Sequence, residues 1–317
     1  MKMNKIQKSV LSTLVFFDIF DRPLTFEELH LYLYKAKASE EILQKELREL
    51  ISKGKVGKLG DWYFLPGRLK FLQEYPARLQ LTKKLINKVQ KKLWYLKNVP
   101  FIKMIAIVNS VAFSTVQKDS DIDIFVITSK NRIYTVRFFL IRYLKLLGVY
   151  PKTETKQDLA GKVCASYYVD STHISLNDIR LKNIDDVYLD YWLISLNPFY
   201  GQNYYQELIK SNQDIVKKFP NFNYKLKYKI SGWNYSDNES KSLFTELIEW
   251  FFCGLIGHLI ENRIFRYYTQ QLQKLLYGQP GFPMSTIKKN VLKLHGRNDR
   301  RQEIAKIFVE KTKKFEE

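Results

Sequence analysis

Two carboxylates, Asp121 and Asp123, stand at the head of an apolar run from Ile124 to Ile127. Side chains alternate along a strand, so both acids share one face while Ile122 and Ile124 take the other. Like charges at the mouth of a buried strand repel. They are costly there unless a cation lies between them or water reaches them. A donor set made only of oxygen suits Mg²⁺ better than zinc. Upstream, Met104 to Val108 reads as another buried strand, and Asn109-Ser110 as the polar turn that leaves it. Ten residues separate Ser110 from Asp121.

The elements around this stretch follow from periodicity and punctuation. Ile6 to Phe20 carries an apolar stripe at helical spacing. Asp21 to Thr25 is a turn whose Thr25 caps a second helix to about Tyr34, and Ser39 to Ser52 forms a third. Lys55 to Leu65 reads as a hairpin turning at Gly60-Asp61. Tyr75 to Asn98 is a basic amphipathic helix, with Lys83, Lys84, Lys88, Lys91 and Lys92 set against Leu81, Leu85, Val89 and Leu93. After Thr128 a turn leads into a helix from Arg132 to Leu147, and Lys162 to Val169 makes the next strand.

Beyond Ser175 the pattern reads as helical and tyrosine-rich. Helices are expected over 177–195 and 200–219, a loop over 221–239, and a long helical segment over 241–277 that breaks near Gly254 and Gly257. Gly278 to Pro283 is a connector, and 285–317 a basic helical tail with a loop at His295 to Asp299.

The central pattern resembles the nucleotidyltransferase superfamily, in which a strand, Gly-Ser, roughly ten residues and Asp-x-Asp on the next strand recur. Ser110 and Ser120-Asp121-Ile122-Asp123 carry the likeness. It implies that Asp121 and Asp123 are catalytic and bind Mg²⁺. It also implies that Asn109 and Ser110 hold the phosphates of a nucleoside triphosphate with help from Lys118, and that a later strand supplies a third carboxylate. Arg132 and Arg137 head the following helix and are further candidates. The chain departs from the pattern at three places: Asn109 replaces Gly, Phe113 replaces a common Arg, and Ser114 replaces a second Gly. The strand at 162–169 contains no acid, which leaves Asp158 and Asp170 as candidates for the third carboxylate.

Three short helices and a hairpin resemble a winged helix-turn-helix. The whole layout resembles a bacterial group that joins such a unit to a nucleotidyltransferase core and a helical C-terminal region, with Phe20-Asp-Arg-Pro-Leu-Thr25, Trp62-Tyr-Phe-Leu65 and Asn197-Pro198 as further shared features. The expected fold class is therefore α/β (α+β). A winged helix would cover 4–70, a basic connecting helix 75–98, the nucleotidyltransferase core 99–172 and a helical region 173–317. Within the first unit the third helix mixes Lys45 and Arg48 with four glutamates. Lys53, Lys55, Lys58, Arg68 and Lys70 are thus the better contacts for a nucleic-acid phosphate.

Composition bounds the rest. The 317 residues are 45% hydrophobic and 15% aromatic, enough for packed cores. Lys and Arg number 52 against 32 acids, a formal charge of +20. That charge fits a polyanion partner (nucleic acid, nucleotide or anionic membrane) and equally a solvated lysine-rich surface. Cys164 and Cys253 read as buried small hydrophobes in a reducing compartment, and the four His form no metal pattern. No signal peptide or membrane span is read, so the expected location is cytoplasmic. Function divides between Mg-dependent nucleotidyl transfer to an unspecified acceptor and a catalytically degenerate relative that binds nucleic acid or regulates.

Overall fold

The computed structural model describes residues 3–152, 156–231, 240–276, 286–294 and 300–316. The chain opens with helices α1 (Lys5–Asp18), α2 (Phe26–Leu31) and α3 (Glu40–Ser52). Each starts on a side-chain oxygen that satisfies an orphan amide. Asn4 accepts from Gln7, Thr25 and Glu28 form a reciprocal capping box, and Ser39 accepts from Ile42. Strands β1 (Gly57–Leu59) and β2 (Trp62–Phe64) then form a hairpin, and Leu24 adds a bridge to Tyr63.

Helix α4 (Leu69–Trp94) follows. It begins earlier than the expected Tyr75 and runs through Pro76. Phe71 and Leu72 pack with Phe64, and Trp62 meets Tyr75 edge-on at 5.2 Å. That burial outweighs the backbone bond Pro76 cannot make.

A six-stranded mixed sheet forms the centre, in the order β6-β3-β4-β5-β8-β7. It is assembled in chain order as β3 (Ile102–Ile107), the short helix α5 (Asn109–Ala112), β4 (Ile122–Thr128), α6 (Ile133–Leu146), α7 (Lys156–Leu159) and β5 (Val163–Asp170). There follow α8 (Val187–Ser195), β6 (Asn197–Tyr200), α9 (Gln202–Ser211), α10 (Gln213–Val216), α11 (Tyr224–Ser231), α12 (Leu243–Phe252) and α13 (Leu255–Leu276). The hairpin β7 (Thr286–Ile287) and β8 (Val291–Lys293) precedes α14 (Arg301–Glu316). Among the described strands only β4 and β5 pair in parallel, joined through α6; the other neighbours are antiparallel.

Every residue of β4 is buried, because both faces of the sheet are covered. Phe125 and Ile127 face a core that includes Trp192 of α8 and Phe16 of α1. Ile122, Ile124 and Val126 face Tyr134, Val136 and Leu140 of α6. Asp121 and Asp123 share the parity of Phe125, so they lie on the α8 face, as strand alternation requires.

The C-terminal half differs from its helical reading. It supplies β6, β7 and β8 to the sheet, which therefore extends beyond 99–172. The expected helix over 177–195 is a three-residue turn, Asn177–Ile179, and then α8. Between them Asn183 takes a left-handed φ of 68°, and Asp186 caps α8 through the Leu189 amide. The helix over 200–219 divides at Asn212, whose side chain binds Leu176, Ile174 and Leu208 backbone groups. The expected loop after Asn221 contains α11, initiated by Asn223 accepting from Lys225. The long segment over 241–277 bends by 87° between α12 and α13. The connector at 278–283, the loop at 295–299 and residues 232–239 lie outside the described residues. Among those described, no single helix is long and apolar enough to cross a membrane.

The N-terminal helices are packed onto the sheet. Phe16 stacks on Tyr191 at 3.9 Å, and Phe113, just after α5, is surrounded by Phe16, Phe17, Phe20 and Tyr188 with ring centres 5.7–6.3 Å apart. Asp18 receives Arg68 at 2.7 Å and Lys311 of α14 at 2.6 Å. Phe113→Ala should therefore cost about 3–5 kcal/mol in denaturant unfolding. Because Phe113 joins both units, residues 4–70 and the sheet should still unfold in one transition. Early separate unfolding of the N-terminal unit in the wild type would show that the aromatic contact does not couple them.

Candidate functional site

The turn leaving β3 sets the geometry. Asn109 adopts a left-handed φ of 55° and Ser114 one of 54°. These are the two positions at which the sequence pattern leads one to expect glycine, and the backbone there has the conformation glycine favours. Asn tolerates it better than most residues, and here its side chain is also used. The Asn109 Nδ2 donates to Asp123 Oδ2 at 2.9 Å. Its Oδ1 accepts from the Tyr188 hydroxyl and from Trp192 Nε1, each at 3.1 Å. Both donors lie on α8, so the amide ties turn, β4 and α8 together.

Asp123 is 9% exposed and Asp121 is half-buried. In the parallel β4–β5 register Asp123 stands opposite Cys164. One ligand atom each from Asp121, Asp123 and Cys164 lie within 4.8 Å of one another. The third position beside the two carboxylates thus belongs to a half-buried thiol. Asp158 and Asp170 are elsewhere. Asp158 accepts from the Lys152 amide, and Asp170 sits at the far end of β5, accepting from Asn131 N at 3.0 Å and Thr172 Oγ1 at 2.7 Å.

A cavity of about 370 Å³ opens over the carboxylates. Its apolar wall includes Phe20, Tyr188 and Trp192. Its basic wall is made of Lys293 from β8, Arg300, and Arg301 at the start of α14. Arg301 is held at 2.9 Å by Asp186 and at 2.8 Å by the Ile179 carbonyl, while Arg300 pairs with the exposed Glu303. The cavity therefore brings acids, cations and aromatic surface into one lining.

The other expected residues divide. Asn109 lines the cavity, but Ser110 does not; its carbonyl accepts from the Thr115 amide at 2.8 Å. Lys118 is exposed in the loop before β4 and does not line the cavity. Arg132 donates to the Phe252 and Cys253 carbonyls at 2.8 and 3.2 Å, and Arg137 lies over Tyr168 and Tyr268; both serve packing on the opposite face. In the N-terminal unit Lys53, Lys58 and Lys70 are exposed. Lys55 instead donates to the Phe315 carbonyl, and Arg68 binds Asp18 and Asp21.

Sequence reading missed Cys164, Tyr188, Trp192, Lys293, Arg300 and Arg301. Cys164 was legible in principle, since aligning the two parallel strands places it beside Asp123. The basic wall was not, because it depends on a hairpin that joins the sheet from far along the chain. Cys253, expected to be buried, is exposed, with its thiol donating to the Trp250 carbonyl at 2.9 Å.

The donor set suits a divalent cation, since two carboxylate oxygens and a thiol converge within coordinating reach. The sulfur departs from the all-oxygen shell that Mg²⁺ prefers. No family model, no curated protein and no solved structure matches this chain.

Two substitutions separate backbone strain from side-chain bonding at the turn. Asn109→Ala should lower stability by about 2–4 kcal/mol, combining a strained left-handed residue with the loss of buried hydrogen bonds. Asn109→Gly should cost about 1–2 kcal/mol less than Ala, because it removes only the bonds. Equal losses in chemical denaturation would show that the φ of Asn109 carries no strain.

Proposed function

We propose that this chain is a nucleotidyltransferase-fold protein with an N-terminal winged helix, and that it transfers a nucleotidyl group from a nucleoside triphosphate to an acceptor in a divalent-metal-dependent reaction. The observation that carries the reading is one cavity lined by Asp121, Asp123, Lys293, Arg300 and Arg301, with the Cys164 thiol within 4.8 Å of the two carboxylates. A cation held by Asp121 and Asp123 would supply charge neutralisation at phosphate oxygens. In this reading an acceptor oxygen bonds to the α-phosphorus and pyrophosphate leaves. The basic wall stabilises the charge that accumulates on the leaving group. Tyr188 and Phe20 offer a nucleobase apolar surface. Ser110 and the backbone of 109–111 remain proposed phosphate contacts from the sequence likeness, although Ser110 does not line the cavity.

The thiol refines the choice of metal. Sulfur at the third position favours Mn²⁺ or Zn²⁺ over Mg²⁺. Thermal shift with ATP should give a larger stabilisation with Mn²⁺ than with Mg²⁺, and Cys164→Asp should restore Mg²⁺ dependence. The Asp121→Asn plus Asp123→Asn variant should remain folded and lose the metal-dependent part of the shift. An unchanged shift in that double variant overturns the assignment.

One contact favours the second reading, a degenerate relative acting on nucleic acid. Asn109 Nδ2 occupies one oxygen of Asp123, and an oxygen so engaged is a poorer metal ligand. That reading rests its polyanion contacts on Lys53, Lys58 and Lys70 and the α4 lysines. The full chain should then bind duplex DNA with an affinity that falls steeply as salt rises, since each neutralised phosphate releases counterions. Binding that ignores salt, or none at low salt, counts against it; absent pyrophosphate release with every metal would favour it over transfer.

A further inference from the structure

Helix α12 is turned inside out relative to a surface helix of a globular protein. Two of its polar residues, Thr245 and Glu249, face the protein. The Thr245 hydroxyl donates to the Asn98 carbonyl at 2.9 Å, and Glu249 accepts from the Phe101 amide and from Lys241. Most of its apolar residues face water, while Ile248 and Phe252 are half-buried. Leu243, Phe244, Leu247, Trp250 and Phe251 recur at the spacing of one helical face and are all exposed, Trp250 at 75%. After the bend, Leu255, Ile256 and Leu259 continue the surface on α13, with Leu255 at 83%. Exposed apolar side chains scattered singly need no explanation, but a contiguous face of this kind marks an interaction site.

The posture is built into the fold. Arg132 of the sheet layer grips the Phe252 and Cys253 carbonyls at the bend. Glu261, buried on α13, accepts from the Tyr134 and Thr135 amides at 2.9 and 2.7 Å. These bonds hold the two helices at 87° with the apolar elbow outward.

Charge identifies the partner. Along α13 the exposed face passes from Leu255, Ile256 and Leu259 to Arg263, Arg266, Tyr267 and then Lys274. The acids of the two helices are few: Glu246 is exposed, Glu249 is engaged by Lys241, and Glu261 is buried. An open cavity of about 770 Å³ at the elbow adds Lys130, Arg132 and His258 beside Trp250. An apolar tip bordered by cations and amphipathic aromatics fits a helix pair lying in a membrane interface. A second copy of the chain fits less well, because each copy carries +20 and the cationic border would approach its own kind.

We propose that the α12–α13 elbow docks this protein on an anionic phospholipid bilayer, lying in the interface without crossing it. The tip of Leu247, Trp250, Phe251 and Leu255 enters the headgroup–acyl boundary, and Arg263 and Arg266 meet lipid phosphates.

Cosedimentation of the full chain with vesicles tests this. Phosphatidylcholine vesicles containing phosphatidylglycerol should bind it, pure phosphatidylcholine should bind it more weakly, and added salt should reduce the difference. Trp250→Glu plus Leu255→Glu, both at exposed positions, should keep the circular dichroism of the wild type and weaken vesicle binding by about tenfold or more. Arg263→Glu plus Arg266→Glu should abolish the preference for anionic vesicles while leaving residual binding. The proposal is overturned by absence of binding to anionic vesicles at low salt, or by binding that survives Trp250→Glu plus Leu255→Glu. Oligomers in sedimentation velocity that dissociate in the same variant, without vesicle binding, would assign the face to a second copy instead.

Discussion

The amide of Asn109 is the point on which the arrangement of the cavity depends. Its residue must turn the chain out of β3 with a positive φ, and its one side chain joins the turn to both β4 and α8. The two donors from α8 fix the orientation of the amide, since both require its oxygen. The nitrogen is then committed to Asp123. A buried carboxylate is thereby positioned by a residue that glycine could not replace in full. The same three bonds seat α8, and with it the apolar wall of the cavity, over the mouth of β4.

Aromatic packing extends that constraint to the rest of the molecule. Phe113 follows α5 directly and inserts among Phe16, Phe17 and Phe20 of the N-terminal helices. The residues of the turn thus have separate physical reasons in this chain. Asn109 and Ser114 meet a conformational demand, and Phe113 meets a packing demand made by an adjoining unit. Lys311 and Arg68 converge on Asp18 to close the contact from the α14 side. A change in the turn is therefore felt by the N-terminal helices, and the reverse also holds.

How much of this was legible from sequence depends on the range of the interaction. Helices α1 to α3, the β1–β2 hairpin and the strands flanking the acids were readable because local caps, turns and alternation specify them. The shared face of Asp121 and Asp123 followed from strand parity alone. The short strands β6, β7 and β8 were not readable. Asn197 to Tyr200 follows a hydrophobic helix and includes a proline, and its strand character comes only from pairing with β3. The Val291–Lys293 strand is defined by β5, far away in sequence. Without those pairings Lys293 and Arg301 had no route to the carboxylates, whereas the thiol of Cys164 needed only the alignment of β4 with β5.

The cavity and the apolar elbow occupy opposite ends of the same strands. Asp123 lies near the start of β4, while Phe101, Asn131 and Arg132, which border the elbow cavity, lie at the start of β3 and beyond the end of β4. The seven residues of β4 span roughly 20 Å at the usual rise of a strand. A bilayer engaged by the elbow would therefore sit at the far edge of the sheet from the acids. The carboxylates would remain open to solvent. The physical separation also makes the two surfaces independent in origin. The elbow is shaped by hydrogen bonds from Arg132 and Glu261 on the α6 side of the sheet, and the cavity by Asn109 and α8 on the other.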